Sequence, residues 1–229
     1  MNTTKKILVV VERSENSIKP FVFEAIHAAR LLANSLGGTV HVLCFGLETS
    51  MVSCFVGWGA DHVRILQNPL FGSITLEQAL ESIEPQINAE KPYAVFFSAT
   101  TRGKELSASL SARLNTSLAT DCVAIEIGET GEILVQRPVY AGKALSNLIL
   151  KGTGPHILSL RQNIFRGSGP DFSREGKIES IDIKIPEDRL VLKIQDVVRE
   201  AGSQLDVTEA RVIVSGGLGM QNPENFKLF

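Results

Sequence analysis

Three cysteines in 229 residues, one tryptophan and two tyrosines leave this chain short of several kinds of chemistry. Cys44, Cys54 and Cys122 show no C-x-x-C spacing, so neither a disulfide framework nor a zinc site is indicated. Buried thiols in a reducing cytoplasm are the expectation. No apolar run reaches the roughly 20 residues that a membrane-spanning helix needs. The polar opening, residues 1–6, has no signal- or transit-peptide pattern. Neither sign of charge dominates: 23 Lys and Arg against 25 Asp and Glu give a net charge of −2. That balance offers no electrostatic case for nucleic acid or for an anionic membrane surface. The four histidines, His27, His41, His62 and His156, lie in separate contexts without H-x-x-x-H or H-E-x-x-H spacing. No G-x-S-x-G elbow is present. An enzyme working by side-chain acid–base chemistry is not indicated, and no catalytic or metal-ligating residue is nominated.

What is present is an α/β rhythm. Hydrophobic residues make up 44 % and charged residues 21 %, as in ordinary globular proteins. Residues 6–11, K-I-L-V-V-V, form a continuous apolar run, the pattern of a strand buried on both faces of a parallel sheet. Pro20 opens a helix with apolar positions from Val22 to Leu36 at helical spacing, and Gly37-Gly38 stops it. Strands are expected at 40–45, 61–66 and 93–97, with a short helix or loop over 52–59. A helix carries Leu76, Ala79, Leu80, Ile83 and Ile87 on one face and closes near Pro92; a second runs over 104–114. A fifth strand spans 119–127. Such alternation calls for a mostly parallel sheet with helices on both faces. After residue 128 an antiparallel hairpin is expected, 133–139 with 144–150, followed by a core strand at 156–160. Residues 166–176 read as a solvated loop, 178–185 and 189–198 as two more exposed strands, and 199–209 as a linker.

Three stretches carry most of the polar chemistry. Ser98 to Lys104 sits where a strand turns into a helix at the carboxyl edge of the sheet, where ligands favour open α/β folds. It reads as an anion site, a subunit interface or simply a well-capped helix start. The 137–144 hairpin tip, with a charge and an aromatic ring, suits a partner surface or a plain solvated turn; 114–122 reads as turn chemistry. The third stretch closes the chain: a short β-branched run from Arg211, then S-G-G-L-G, then Asn222-Pro223 as the cap and first residue of a helix. Strand, glycine turn and helix form a phosphate cradle, because free N–H groups and the helix dipole converge there. Ser215, Gly216, Gly217 and Gly219 are its backbone candidates. The Val212–Ser215 strand is expected to lack a pairing neighbour. The S-G-G string does not make an ATP pyrophosphatase loop, since Gly219 stands where that loop wants aspartate.

In several long strings the chain resembles the α subunit of electron transfer flavoproteins. They are S-A-T-T-R-G-K-E-L-S-A-S-L-S-A-R-L (98–114), L-A-T-D-C (118–122), R-P-V-Y-A-G-K-A (137–144), I-L-S-L-R-Q-N-I-F (157–165) and the terminal glycine motif. The resemblance implies a sheet of the adenine nucleotide alpha hydrolase type over residues 1–198, a linker at 199–210, and the start of an FAD-binding domain, a fragment of a second α/β domain, at 211–229. It implies pairing with an electron transfer flavoprotein β subunit, FAD as cofactor, and a cytoplasmic carrier. Electrons would pass from acyl-CoA or other dehydrogenases to a quinone reductase, with no nucleic acid and no membrane insertion. Two departures stand out: the FAD domain has only begun where the chain ends, and the family's S-G-G-R-G reads S-G-G-L-G, with Leu218 in place of an arginine that helps bind the flavin. FAD is therefore not expected to be held by this chain alone. Two other readings remain open on sequence: a nucleotide-binding module of the universal-stress type, and a degenerate non-redox relic.

Overall fold

A computed structural model describes residues 5–12, 18–186, 190–192, 194–195 and 212–228. The chain divides into two compact units, Met1–Lys193 and Ile194–Phe229.

In the first unit, strands β1 (Lys6–Val11), β2 (Thr39–Phe45), β3 (His62–Gln67), β4 (Ala94–Ser98), β5 (Leu118–Cys122), β9 (His156–Leu160) and β10 (Lys177–Asp182) form one sheet in the order β10-β3-β2-β1-β4-β9-β5. Every pairing in it is parallel. β6 (Ala124–Ile127), β7 (Ile133–Val139) and β8 (Ala144–Leu150) make a separate three-stranded antiparallel sheet. This is the expected α/β class: a mostly parallel, helix-covered sheet with an added hairpin.

The sheet is covered because its strands are apolar on both sides. Ile7, Val9 and Val11 join one core with Val40, Val42, Ala94 and Phe96, while Leu8 and Val10 join another with Leu43, Phe45, Val95 and Phe97. α1 (Pro20–Leu36) closes the first core with Val22, Ala25, Ile26, Ala29 and Leu32. Gly37 ends that helix at φ 61, a left-handed conformation that glycine takes without steric penalty. α4 (Leu76–Glu90) and α5 (Thr101–Arg113) close the second core through Leu80, Ile83, Ile87, Leu106 and Leu110. α4 starts on a capping box in which Thr75 and Gln78 exchange side-chain and backbone bonds. Two single-turn helices, α2 (Thr49–Val52) and α3 (Cys54–Gly57), occupy the stretch expected to be helix or loop.

Four expectations change. The strand over 119–127 is two strands in two sheets. Asp121, at φ 60, turns the chain out of the parallel sheet, and by Val123 the backbone already bonds to Gln136. The second exposed strand, over 189–198, is absent where the chain is described. Leu190–Leu192 have no regular structure, and the Val191 and Leu192 N–H groups donate to Glu77 Oε2 at 2.9 and 3.1 Å. The strand near residue 212 is also absent: Val212–Gly217 are irregular and exposed, with no described strand to pair them. The helix expected from Pro223 is a 3-10 helix, Pro223–Leu228. The linker at 199–210 lies outside the described residues.

Asp61 ties four segments together at the start of β3. Its carboxylate accepts from Arg30 of α1, from the Val40 N–H of β2 at 2.8 Å, and from Arg174 of the 166–176 loop at 3.2 Å. Asp61→Ala leaves two guanidinium groups and one N–H without that acceptor. The expected loss of unfolding free energy is about 2–3 kcal/mol, read from urea denaturation midpoints.

Candidate functional site

The strand order reverses between β1 and β4, since β2 lies on one side of β1 and β4 on the other. In open α/β sheets the crevice at the carboxyl ends of two such strands is the usual ligand position. Here it holds Glu12, directly after β1, and Ser98-Ala99-Thr100, running from β4 into α5. Thr100 is the N-cap of α5 and accepts from the Gly103 N–H at 2.8 Å. Its own hydroxyl donates to Glu12 Oε1. Arg102 turns away to donate to the Ile74 carbonyl at 2.5 Å, and Ser98 Oγ lies 3.4 Å from the Phe21 carbonyl.

Glu12 occupies the place of an anion. A Cβ added to Gly103 would lie 2.0 Å from the Ser98 carbonyl and 2.7 Å from Glu12 Oε1, so the carboxyl rests against the first turn of the helix. The amino end of α5, where a helix dipole would favour a phosphate, is thus adjoined by this side chain instead. Burial raises its pKa above the ordinary 4.5, against the Thr100 hydrogen bond and the Arg102 charge, which lower it. Of the three readings of residues 98–104, the geometry is that of a capped helix start, closed by the chain's own acid.

Further along the same edge, Arg161 after β9 grips Asp121, near the end of β5, with two bonds, at 3.1 and 2.6 Å. That pairing holds the Asp121 pKa below its usual value. The Asp121 N–H donates to Ser159 Oγ at 3.0 Å. This pair secures the corner where the chain changes sheets. Burial pushes the Cys44 and Cys122 thiols up to about 12, so neither is a nucleophile at neutral pH. Among the described residues no group of three or more His, Cys, Asp or Glu is placed to hold a metal ion.

The glycine string lies in the second unit. Ser215, Gly216 and Gly217 are irregular and exposed, and Gly219 sits within a 3-10 turn, Leu218–Met220. Gly216 has a packing reason of its own: a Cβ there would lie 2.6 Å from Met220 Cγ and 2.7 Å from a Phe226 ring carbon. Leu218 is fully exposed. The string therefore offers a hydroxyl and open backbone to a pyrophosphate but no cation, so these residues alone do not fit FAD. Sequence reasoning missed Glu12, although an acid set immediately after a fully buried strand was its visible signal.

A family model described as the electron transfer flavoprotein domain matches residues 7–186. The chain belongs to the electron transfer flavoprotein family. It is 34 % identical to an electron transfer flavoprotein subunit alpha of Bacillus subtilis, covering 97 % of this chain and 67 % of that one. It is 29 % identical to the same subunit of Thermoanaerobacterium thermosaccharolyticum, over 100 % of this chain and 69 % of the relative. The LctC subunit of a lactate dehydrogenase (NAD(+),ferredoxin) of Acetobacterium woodii is 28 % identical, over 94 % of this chain and 51 % of its own length. As an electron transfer flavoprotein of the α type, the chain belongs with redox carrier subunits, and its family is flavin-binding. Among the described residues no helix is long and apolar enough to cross a membrane.

A carboxyl whose pKa is raised on folding binds its proton more readily in the folded chain. Its contribution is therefore unpenalised below about 4.5, the ordinary value, and turns unfavourable as pH rises through the raised value. Glu12→Gln keeps an acceptor for Thr100 and removes the charge. The variant should gain stability relative to the parent chain between pH 4 and pH 7, measured by urea denaturation at both. A constant difference across that range would sink the assignment.

Proposed function

We propose that this chain is the framework half of a two-subunit electron transfer flavoprotein, pairing with a β subunit and carrying electrons through FAD from dehydrogenases to a quinone-linked acceptor in the cytoplasm. The reading rests on one observation above the rest: likeness to α subunits over nearly the whole chain, with a sheet crevice already closed by Glu12. Acyl-CoA dehydrogenases are one class of donor that fits it. The domain assignment is residues 1–198 for the framework, 199–210 for the linker and 211–229 for the start of the cofactor domain.

FAD, when bound, supplies the one- and two-electron chemistry. The protein's part is to hold and orient. Ser215, Gly216, Gly217 and Gly219 would face the pyrophosphate, with backbone N–H groups and one hydroxyl as donors. Leu218 brings no charge to that contact. Charged hydrogen bonds from other residues must make up the deficit, so the described residues do not retain the cofactor alone. The closed crevice disfavours the universal-stress reading, because a mononucleotide phosphate would have to displace Glu12.

The partner surface on this reading includes the 137–144 tip. Tyr140 is 80 % exposed there, held at φ 52 between the β7 and β8 strands. A rigid aromatic ring on an exposed turn is a common anchor at interfaces.

Two measurements test this. The isolated chain should show far less than stoichiometric flavin absorbance, and Leu218→Arg should tighten FAD binding about tenfold or more in a fluorescence titration. Stoichiometric flavin on the unmodified chain, or an unchanged affinity in the variant, would overturn the cofactor assignment. In the co-expressed two-subunit complex, Tyr140→Ala should weaken association about fivefold or more, read by analytical ultracentrifugation.

A further inference from the structure

The opposite, amino edge of the parallel sheet holds a cavity of about 940 Å³ that the proposed function does not use. Its size suits a small organic ligand. Its walls come from the start of β1, the end of α4, the β6–β7 turn and the end of β8. Four lysines from three separate segments line it, Lys5, Lys6, Lys91 and Lys151, against two carboxylates, Glu90 and Glu132. The chain as a whole carries −2, so this local excess runs against the overall sign.

The two carboxylates offset the four lysines only in part: Lys6 pairs with Glu90 at 3.8 Å and the Lys151 charge acts on Glu132, while both acids also have other partners. Glu90 is held by Arg64 and by His41 Nδ1 at 2.7 Å, and Lys6 stands further off at 3.8 Å. Glu132 turns back onto its own loop, accepting from the Thr130 N–H at 3.1 Å and from the Thr130 hydroxyl. The carboxyl end of α4 adds a partial negative charge of about one half. That end accounts for one lysine, not four.

Lys5 is also fixed in place. Its ammonium lies 4.0 Å above the Tyr93 ring and donates to the Gly131 carbonyl at 3.3 Å, while the Tyr93 hydroxyl holds the same carbonyl at 2.7 Å. An ammonium has three N–H donors, so two remain for a ligand. Compact ammonium charges suit phosphate oxygens, which accept from many directions. Ile149, 54 % exposed, supplies an apolar wall beside them.

We propose that this amino-edge cavity binds a phosphate-rich small anion of the nucleoside triphosphate class, held by Lys5, Lys6, Lys91 and Lys151. It shares no residue with the flavin cradle proposed at 215–219.

The test is calorimetric titration of the purified protein with ATP, tripolyphosphate and adenosine in turn, at low ionic strength. ATP and tripolyphosphate should bind saturably and adenosine should not. Lys91 and Lys151 are both exposed, so the double variant Lys91→Gln/Lys151→Gln should stay folded, checked by circular dichroism and its urea midpoint. It should weaken both polyanions about tenfold or more. No saturable binding of either polyanion up to millimolar concentration, adenosine binding as tight as ATP, or undiminished binding to the double variant would each overturn the proposal.

Discussion

Five consecutive residues of β1, Ile7 to Val11, are buried, and alternate side chains enter two different cores. A strand apolar on both faces cannot sit at a solvated surface, so the sheet must be roofed twice. α1 roofs one side, and α4 and α5 the other. Parallel strands need crossovers, and right-handed crossovers put helix amino ends at the carboxyl edge of the sheet. Chemistry in this unit is thereby driven to its two edges, because the faces are filled.

The edges have opposite electrostatics. At the carboxyl edge, helix amino ends and free N–H groups favour anions, and the chain answers with its own acids: Glu12 beside Thr100 at the start of α5, and Asp121 in the grip of Arg161. Thr100, Arg102 and Arg161 each have a partner within the chain there. At the amino edge, the carboxyl end of α4 meets Lys91 and three further lysines, while Glu90 is drawn toward Arg64 and His41. The two edges are thus settled differently, one closed by side chains of the sheet's own loops and one left with cations in excess of what surrounds them.

Much of this was legible in the sequence where a local pattern coincided with a buried face. β1, α1, α4 and the β7–β8 hairpin announced themselves through continuous apolar runs, 3.6-residue spacing and turn residues, and the burial of those same residues follows. The α4 stripe survives even Pro85, because packing of Leu80, Ile83 and Ile87 outweighs the backbone bond that proline forgoes. The break at Asp121 was not legible. Apolar and polar residues run through 118–127 without interruption, and what splits them is a left-handed backbone supported by Ser159 and Arg161, both some 40 positions away. Glu12 was hidden for a related reason: its meaning lies in Thr100, 88 residues on. The lysine cavity assembles residues from 5, 91 and 151, which no window of sequence places together.

A flavoprotein subunit whose main sheet has its usual ligand crevice occupied by Glu12 has, on the proposed reading, its cofactor contacts in the second unit. Leu218 carries the same logic to the second unit. On the proposed reading, an exposed leucine beside Gly217 and Gly219 would leave a cradle of backbone alone, whose attraction for a pyrophosphate is dipolar and short-ranged. A dipolar cradle orients a bound phosphate but holds it weakly in water, so affinity has to come from charges set around it. On the proposed reading, orientation and retention are then separate tasks: the glycine string performs the first, and residues outside it perform the second.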